Sequence, residues 1–239
     1  MHSVRFVLLS ISAACLAVAQ ETSPLPPDTM GDLLMARKQF REAVDAYRKG
    51  PQDSPVTWNK IGIAYHQLGD LGAAKRNYEK AIRLDKTYAD AVNNDGTVYY
   101  AQKRYGTAIS RYRLAIKLRP DAASFWSNLG TAYYSRHRIN DMIAAYQKAL
   151  ELDPTVFEHK GLVGTELQDR SVTDRARYHY EMARLYAKSG NADLALQYLR
   201  RSLEEGLKDK PKMIQAPEFA KLRDTDAFKQ IVALEPRVL

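Results

Sequence analysis

Few side chains in this chain of 239 residues have the types and spacing that bond-making chemistry requires. Beyond the N-terminal stretch the histidines are His66, His137, His159 and His179, each remote in sequence from the others. Zinc would need ligands at paired spacing, and no H-E-x-x-H or comparable pair occurs. No G-x-S-x-G elbow presents a serine for attack, and the glycines form no phosphate-cradling loop. The acids Asp193, Glu204 and Glu205 fall in surface-like helical contexts. What remains is polar without being reactive, with carboxamides and hydroxyls recurring through the middle of the chain. Each carboxamide offers two donors and an acceptor oxygen, which suits pairing with a peptide backbone. The expectation is a protein that is not an enzyme, with no metal and no cofactor.

The elements that would position these groups follow from a repeat of 34 residues. Trp126, Leu129, Gly130 and Tyr133 are followed by Tyr146, Ala149 and Pro154. One period earlier stand Gly96, Tyr99, Ala108, Tyr112, Ala115 and Pro120, and before them Trp58, Gly62, Tyr65, Ala74, Tyr78 and Ala81. A large residue, a small residue and a Tyr at helical spacing, then Ala-x-x-x-Tyr, describe two antiparallel helices sharing a buried face. One such pair cannot bury that face alone, so neighbours must stack.

These residues match W-x2-L-G-x2-Y, then A-x3-F, then P, and the chain resembles the tetratricopeptide repeat family. The resemblance implies an all-α, right-handed α-solenoid. Three repeats fit at 55–88, 89–122 and 123–156, after a shorter first repeat at 29–54 with Gly31, Leu34, Ala43 and Tyr47. A divergent one is expected at 172–206, with Ala183, Tyr186, Ala195 and Leu199. Residues 207–239 read as a helical cap in which Phe219, Leu222, Phe228 and Ile231 cover the last helix. Asp70, Asn191, Ser171 with Asp174, and Asp224 or Thr225 are the expected helix starts.

In the family, the first helix of each repeat lines a concave groove. Carried onto this chain, the solvent-facing positions would be Asn59, Ile63 and His66 in the first clean repeat, flanked by Val56, Lys60 and Gln67. Asn93, Asn94, Thr97 and Tyr100 would follow, then Ser127, Asn128, Thr131 and Tyr134, and finally Arg177, Tyr180, Arg184 and Lys188. Asp28 and Asp32 would make the first end acidic and the last four residues would make the far end basic. This predicts a groove for a protein or peptide partner. The two-carboxylate clamp of some family members is excluded here, because Ile63 and Ser124 stand where it needs polar or basic groups and only Asn94 fits.

Two departures stand apart from the pattern. Asp95 occupies the position of Leu129, and a buried carboxylate requires a partner, such as an Arg or a Tyr hydroxyl, or else a functional role. Residues 157–171 form an insertion between repeats: a surface loop, a short hairpin filling the gap before a skewed fifth repeat, or a segment tucked over the groove or along its edge through Phe157, Leu162, Val163 and Leu167.

The ends bound localisation. Arg5, the apolar run Phe6 to Val18 and the small-x-small Ala17-Val18-Ala19 predict a secretory signal at 1–19, cleaved after Ala19. Residues 20–28 read as a Pro-rich linker. Cys15 is the only cysteine, so the processed chain would carry no disulfide. Acylation there is the minor alternative and would make a lipid-anchored envelope component assembling through its outer faces and cap. The expected compartment is periplasmic or extracellular. The net charge of +8 alternates with acids along helices and accompanies no nucleic-acid motif, so nucleic acid is not expected, while peripheral or lipid-anchored membrane association stays open.

Overall fold

The computed structural model describes residues 25–157 and 172–234. Among them the regular elements are helical throughout, in five antiparallel pairs: α1 (Pro27–Ala36) with α2 (Phe40–Tyr47), α3 (Pro55–Gln67) with α4 (Leu71–Leu84), α5 (Ala89–Ala101) with α6 (Tyr105–Leu118), α7 (Ala123–Ser135) with α8 (Ile139–Leu152), and α9 (Val172–Ser189) with α10 (Ala192–Glu204). Each pair also packs on the next, the second helix of one against the first helix of the following. First helices of successive pairs touch as well, α3 with α5 and α5 with α7, which places them on the tighter, inner side.

The repeat residues explain this packing. A Cβ on Gly62 would stand 2.5 Å from the ring of Tyr78, one on Gly96 would stand 2.7 Å from that of Tyr112, and one on Gly130 would overlap Tyr146. The three tyrosines are fully buried against those glycines, and the alanines at Ala74, Ala108 and Ala149 lie beside them without exposure. Asp70, Asn191 and Thr225 accept from the backbone N–H three residues on, satisfying a donor that the helix itself leaves unpaired. Ser54 does the same for Thr57.

The fifth pair departs from the regular spacing. Four residues join α4 to α5 and α6 to α7, whereas α8 ends at Leu152 and α9 begins at Val172. Aromatic rings bridge the wider junction: Tyr178 lies 5.1 Å from Tyr134 and 6.4 Å from Tyr146, and Phe157 packs edge-on against Tyr146 at 4.8 Å. Beyond α10, two short helices, α11 (Lys210–Met213) and α12 (Asp226–Val232), flank a 3-10 turn at Pro217–Phe219. Phe219, Phe228 and Ile231 are buried against Tyr180, Leu199 and Leu203, so the expected capping residues cover the last pair.

Helix α1 starts at Pro27, inside the stretch read as linker. The signal sequence, the cleavage site, Cys15, Ser171 and the insertion residues Leu162, Val163 and Leu167 lie outside the described residues.

Candidate partner-binding face

The inner side of α3, α5 and α7 carries a continuous line of carboxamides. Asn128 Nδ2 donates to Asn93 Oδ1 at 3.0 Å, and Asn93 Nδ2 donates to Asn94 Oδ1 at 3.2 Å. Asn94 Nδ2 in turn donates to Asn59 Oδ1 at 3.0 Å, whose own Nδ2 reaches the Tyr88 hydroxyl at 3.4 Å. Carboxamides 35 residues apart, one position off the repeat period, thus bond to one another across the helix interfaces. Thr97 continues the line, donating to the Asn94 carbonyl at 2.7 Å with His66 Nδ1 at 3.4 Å from its hydroxyl.

This arrangement corrects the expectation that the whole series faces solvent. Asn59, Asn93, Thr97, Tyr100, Ser127, Asn128, Thr131, Tyr134 and Tyr180 are buried. The physical reason is curvature: first helices in contact shield each other's inner positions, and the carboxamides there pair laterally, while Ser127 Oγ is buried without a hydrogen bond among the described residues. Thr131 bonds the Ser127 carbonyl at 3.0 Å and meets the Tyr146 hydroxyl at 2.9 Å, while the Tyr100 hydroxyl meets Ser135 Oγ at 2.8 Å. Ile63, His66 and Asn94 remain half-exposed, beside exposed Val56 and Gln67. The accessible strip therefore lies on α3 and the facing turn of α5.

The expected charge gradient is also altered. At the first end, Lys60 Nζ lies 2.7 Å from Asp28 and 2.8 Å from Asp32, which accepts from the Tyr47 hydroxyl at 2.6 Å. The acids are neutralised, and the Lys60 ammonium is held above its usual range by these two carboxylates against the effect of partial burial. At the far end, Arg184 bridges Glu181 at 2.9 Å and Glu218 of the cap at 2.5 Å. Tyr180 donates to the Met213 carbonyl at 3.0 Å with its ring 6.2 Å from Phe219. The chain's own cap thus covers two of the four residues assigned to a basic end. Arg177 and Lys188 stay exposed, Lys188 bonding Gln147 at 3.0 Å.

Asp95 does not face this side. Its carboxylate is fully buried and 2.9 Å from Arg111 Nε on α6, the arginine partner that a structural role requires. Burial raises its pKa, and Arg111 and Lys75 oppose the rise. Burial likewise holds the His66 imidazole below its usual range, so the ring is a neutral hydrogen-bonding group at pH 7. No group of three or more His, Cys, Asp or Glu capable of holding a metal occurs among the described residues.

Stacked antiparallel helix pairs with glycine–tyrosine contacts at a fixed period define an α-solenoid. Family models described as TPR repeat match residues 62–103 and 96–136, and those described as tetratricopeptide repeat match 123–156 and 176–205, together more than half of the chain. The chain belongs to the tetratricopeptide repeat family. Among solved structures it is similar to a crystal structure of MamA at 24% identity, with 74% of this chain and 94% of that chain covered and a TM-score of 0.50. MamA 41-end from Desulfovibrio magneticus RS-1 gives 20% identity, 75% and 92% coverage and a TM-score of 0.51. These likenesses concern the fold. Comparison with curated proteins gives no match.

Proposed function

We propose that this protein is a non-catalytic scaffold that holds an extended segment of a partner protein along its inner face, across α3 and α5. The observation that carries the reading is the carboxamide ladder. It gives the face a rigid floor whose half-exposed members, Asn94 and His66, retain hydrogen-bonding capacity next to the apolar Ile63 and Val56. Alternating polar and apolar sites at this spacing suit an extended peptide, whose backbone needs donors and acceptors and whose side chains need pockets. Membership of a family built from stacked interaction repeats supports the same reading. The work is done after export, with residues 1–19 removed as a secretory signal; N-terminal sequencing of the exported chain starting at Gln20 is the corresponding test.

The functional test is affinity capture from envelope extract, comparing the parent with an Ile63→Ala/His66→Ala/Gln67→Ala variant. These side chains leave the Asn59–Asn94 and Asn93–Asn128 bonds in place, so helicity should be unchanged. A protein retained by the parent and lost from the variant supports the inner face. Identical captures move the function elsewhere.

A further inference from the structure

A cleft of about 510 Å³ opens on the outer side of the solenoid, between α6, α7 and α8. Ile116, Trp126, Leu129 and Ala145 form its floor, and Arg113 and Lys117 stand at its rim. Its volume lies within the ~300–1,000 Å³ range of sites that bury a ligand group. Two other charged residues reach the cleft, but they are accounted for: Arg138 Nε pairs with Asp141 at 2.8 Å, and its guanidinium lies 4.5 Å above the Tyr133 ring. Arg113 and Lys117 are exposed and make no ion pair or hydrogen bond among the described residues.

The same motif elsewhere shows what a closed version looks like. Trp58 occupies the position of Trp126 two repeats earlier, and Lys80 Nζ covers its ring at 3.2 Å. The residue equivalent to Lys80 is Lys148, and it pairs instead with Glu151 at 3.3 Å. Both indoles are held alike, Trp58 donating to the Gln52 carbonyl and Trp126 to the Pro120 carbonyl, each at 2.8 Å. Trp126 is therefore a fixed aromatic surface without the cover that its counterpart has. An apolar group placed on it would lose water contact, and a carboxylate beside that dry floor would gain from Arg113 and Lys117 more than in open solvent. The net charge of +8 favours the approach of an acidic partner and disfavours a second copy of this chain.

From this geometry we infer a second docking site, distinct from the inner face. It takes an acidic segment of a partner protein, with one bulky apolar side chain seated on Trp126 and flanking carboxylates on Arg113 and Lys117. Its argument does not depend on the inner-face reading.

The test uses the full chain carrying Trp58→Phe, which leaves Trp126 as the one fluorescent indole. The probe is the capped peptide Glu-Asp-Phe-Glu-Asp, compared with Gln-Asn-Phe-Gln-Asn and Glu-Asp-Ala-Glu-Asp. The expected result is a saturable shift of Trp126 emission with the first peptide, weakened at least 10-fold by either analogue and by Arg113→Gln/Lys117→Gln. Affinity should also fall several-fold between 50 and 250 mM salt. Titration calorimetry of the chain with both tryptophans, against its Arg113→Gln/Lys117→Gln variant, supplies the same comparison should Trp58→Phe fold poorly. Absence of saturable binding, or equal binding of the Ala peptide or by the Gln variant, would overturn the site. A response to phosphatidylglycerol vesicles but not to the peptide would overturn it in favour of a lipid surface.

Discussion

The inner ladder and the outer cleft share helix α7, yet their polar groups meet opposite ends. On the inner side Asn128 finds Asn93, its near equivalent one repeat back, and both disappear from solvent. On the outer side the lysine that should cover Trp126 turns to Glu151 and leaves the ring open beside Arg113 and Lys117. A periodic sequence repeats positions, but it does not repeat partners. Where a polar residue meets a like group on the neighbouring repeat it becomes structure, and where the partner is diverted a site opens.

That contrast can be broken at several levels. The coarsest break is in the register both regions depend on. Gly130→Leu would drive a side chain into the Tyr146 ring and should cost about 3 kcal/mol or more by urea denaturation. Gly106→Leu, in the exposed first turn of α6 beside the end of Arg136, should change stability far less. Equal melting of Gly130→Leu and parent would refute the glycine–tyrosine register.

Next comes the ladder itself. Asn128→Ala leaves buried Asn93 without its donor and should cost about 1–3 kcal/mol. Asn94→Ala, at a half-exposed position where water can replace the amide, should cost less. Reversal of that order in thermal or urea unfolding would mean that the ladder is not what buries these groups.

A smaller gain is expected at the turn joining α5 to α6. Lys103 adopts a left-handed backbone with φ of 59°, where the equivalent turns place Gly69 and Gly190. Lys103→Gly should stabilise by up to about 1 kcal/mol, since only glycine enters that region without a Cβ clash. A destabilised variant would show that the turn is held by the Lys side chain.

Asp95 yields a pH-dependent effect. Its folded pKa is raised above the unfolded one, so the folded state binds the proton more tightly, and stability from this group rises as pH falls through the folded pKa. Asp95→Asn should therefore melt at or above the parent at pH 8, because Arg111 is about one-third exposed and can turn to water. That advantage should shrink as pH is lowered toward the carboxylate range. A variant that loses stability at pH 8 and regains it in acid would reverse the sign assigned here. The smallest stability change belongs to Arg113→Gln/Lys117→Gln, within about 0.5 kcal/mol, because neither side chain holds anything in the fold.

The helix pairs were legible because their signals are local and repeated. Gly62, Gly96 and Gly130 mark the close approaches, the tyrosines fill them, and Asp70, Asn191 and Thr225 start helices as their types suggest. Asp95's need for a partner was legible too, and Gly96 packing on Tyr112 brings Arg111 beside it. Exposure along the inner face was not, because a helix's free side says nothing of how closely the neighbouring helix approaches. Lys60 closing on Asp28 and Asp32, and Glu218 reaching Arg184, are likewise contacts between elements, invisible to a pattern read along one helix. The cleft at Trp126 left a faint trace, a motif Trp whose covering lysine is followed three residues on by Glu151.

The measurement that tests the central claim most directly is site-specific photocrosslinking in envelope extract. A benzophenone amino acid would be placed at Gln67, exposed beside His66 on the inner strip, or at Arg83, exposed on the outer helix α4. The account predicts one discrete adduct from position 67 that is absent from position 83 and suppressed by Ile63→Ala/His66→Ala. A discrete adduct from position 83 with none from position 67 would contradict it.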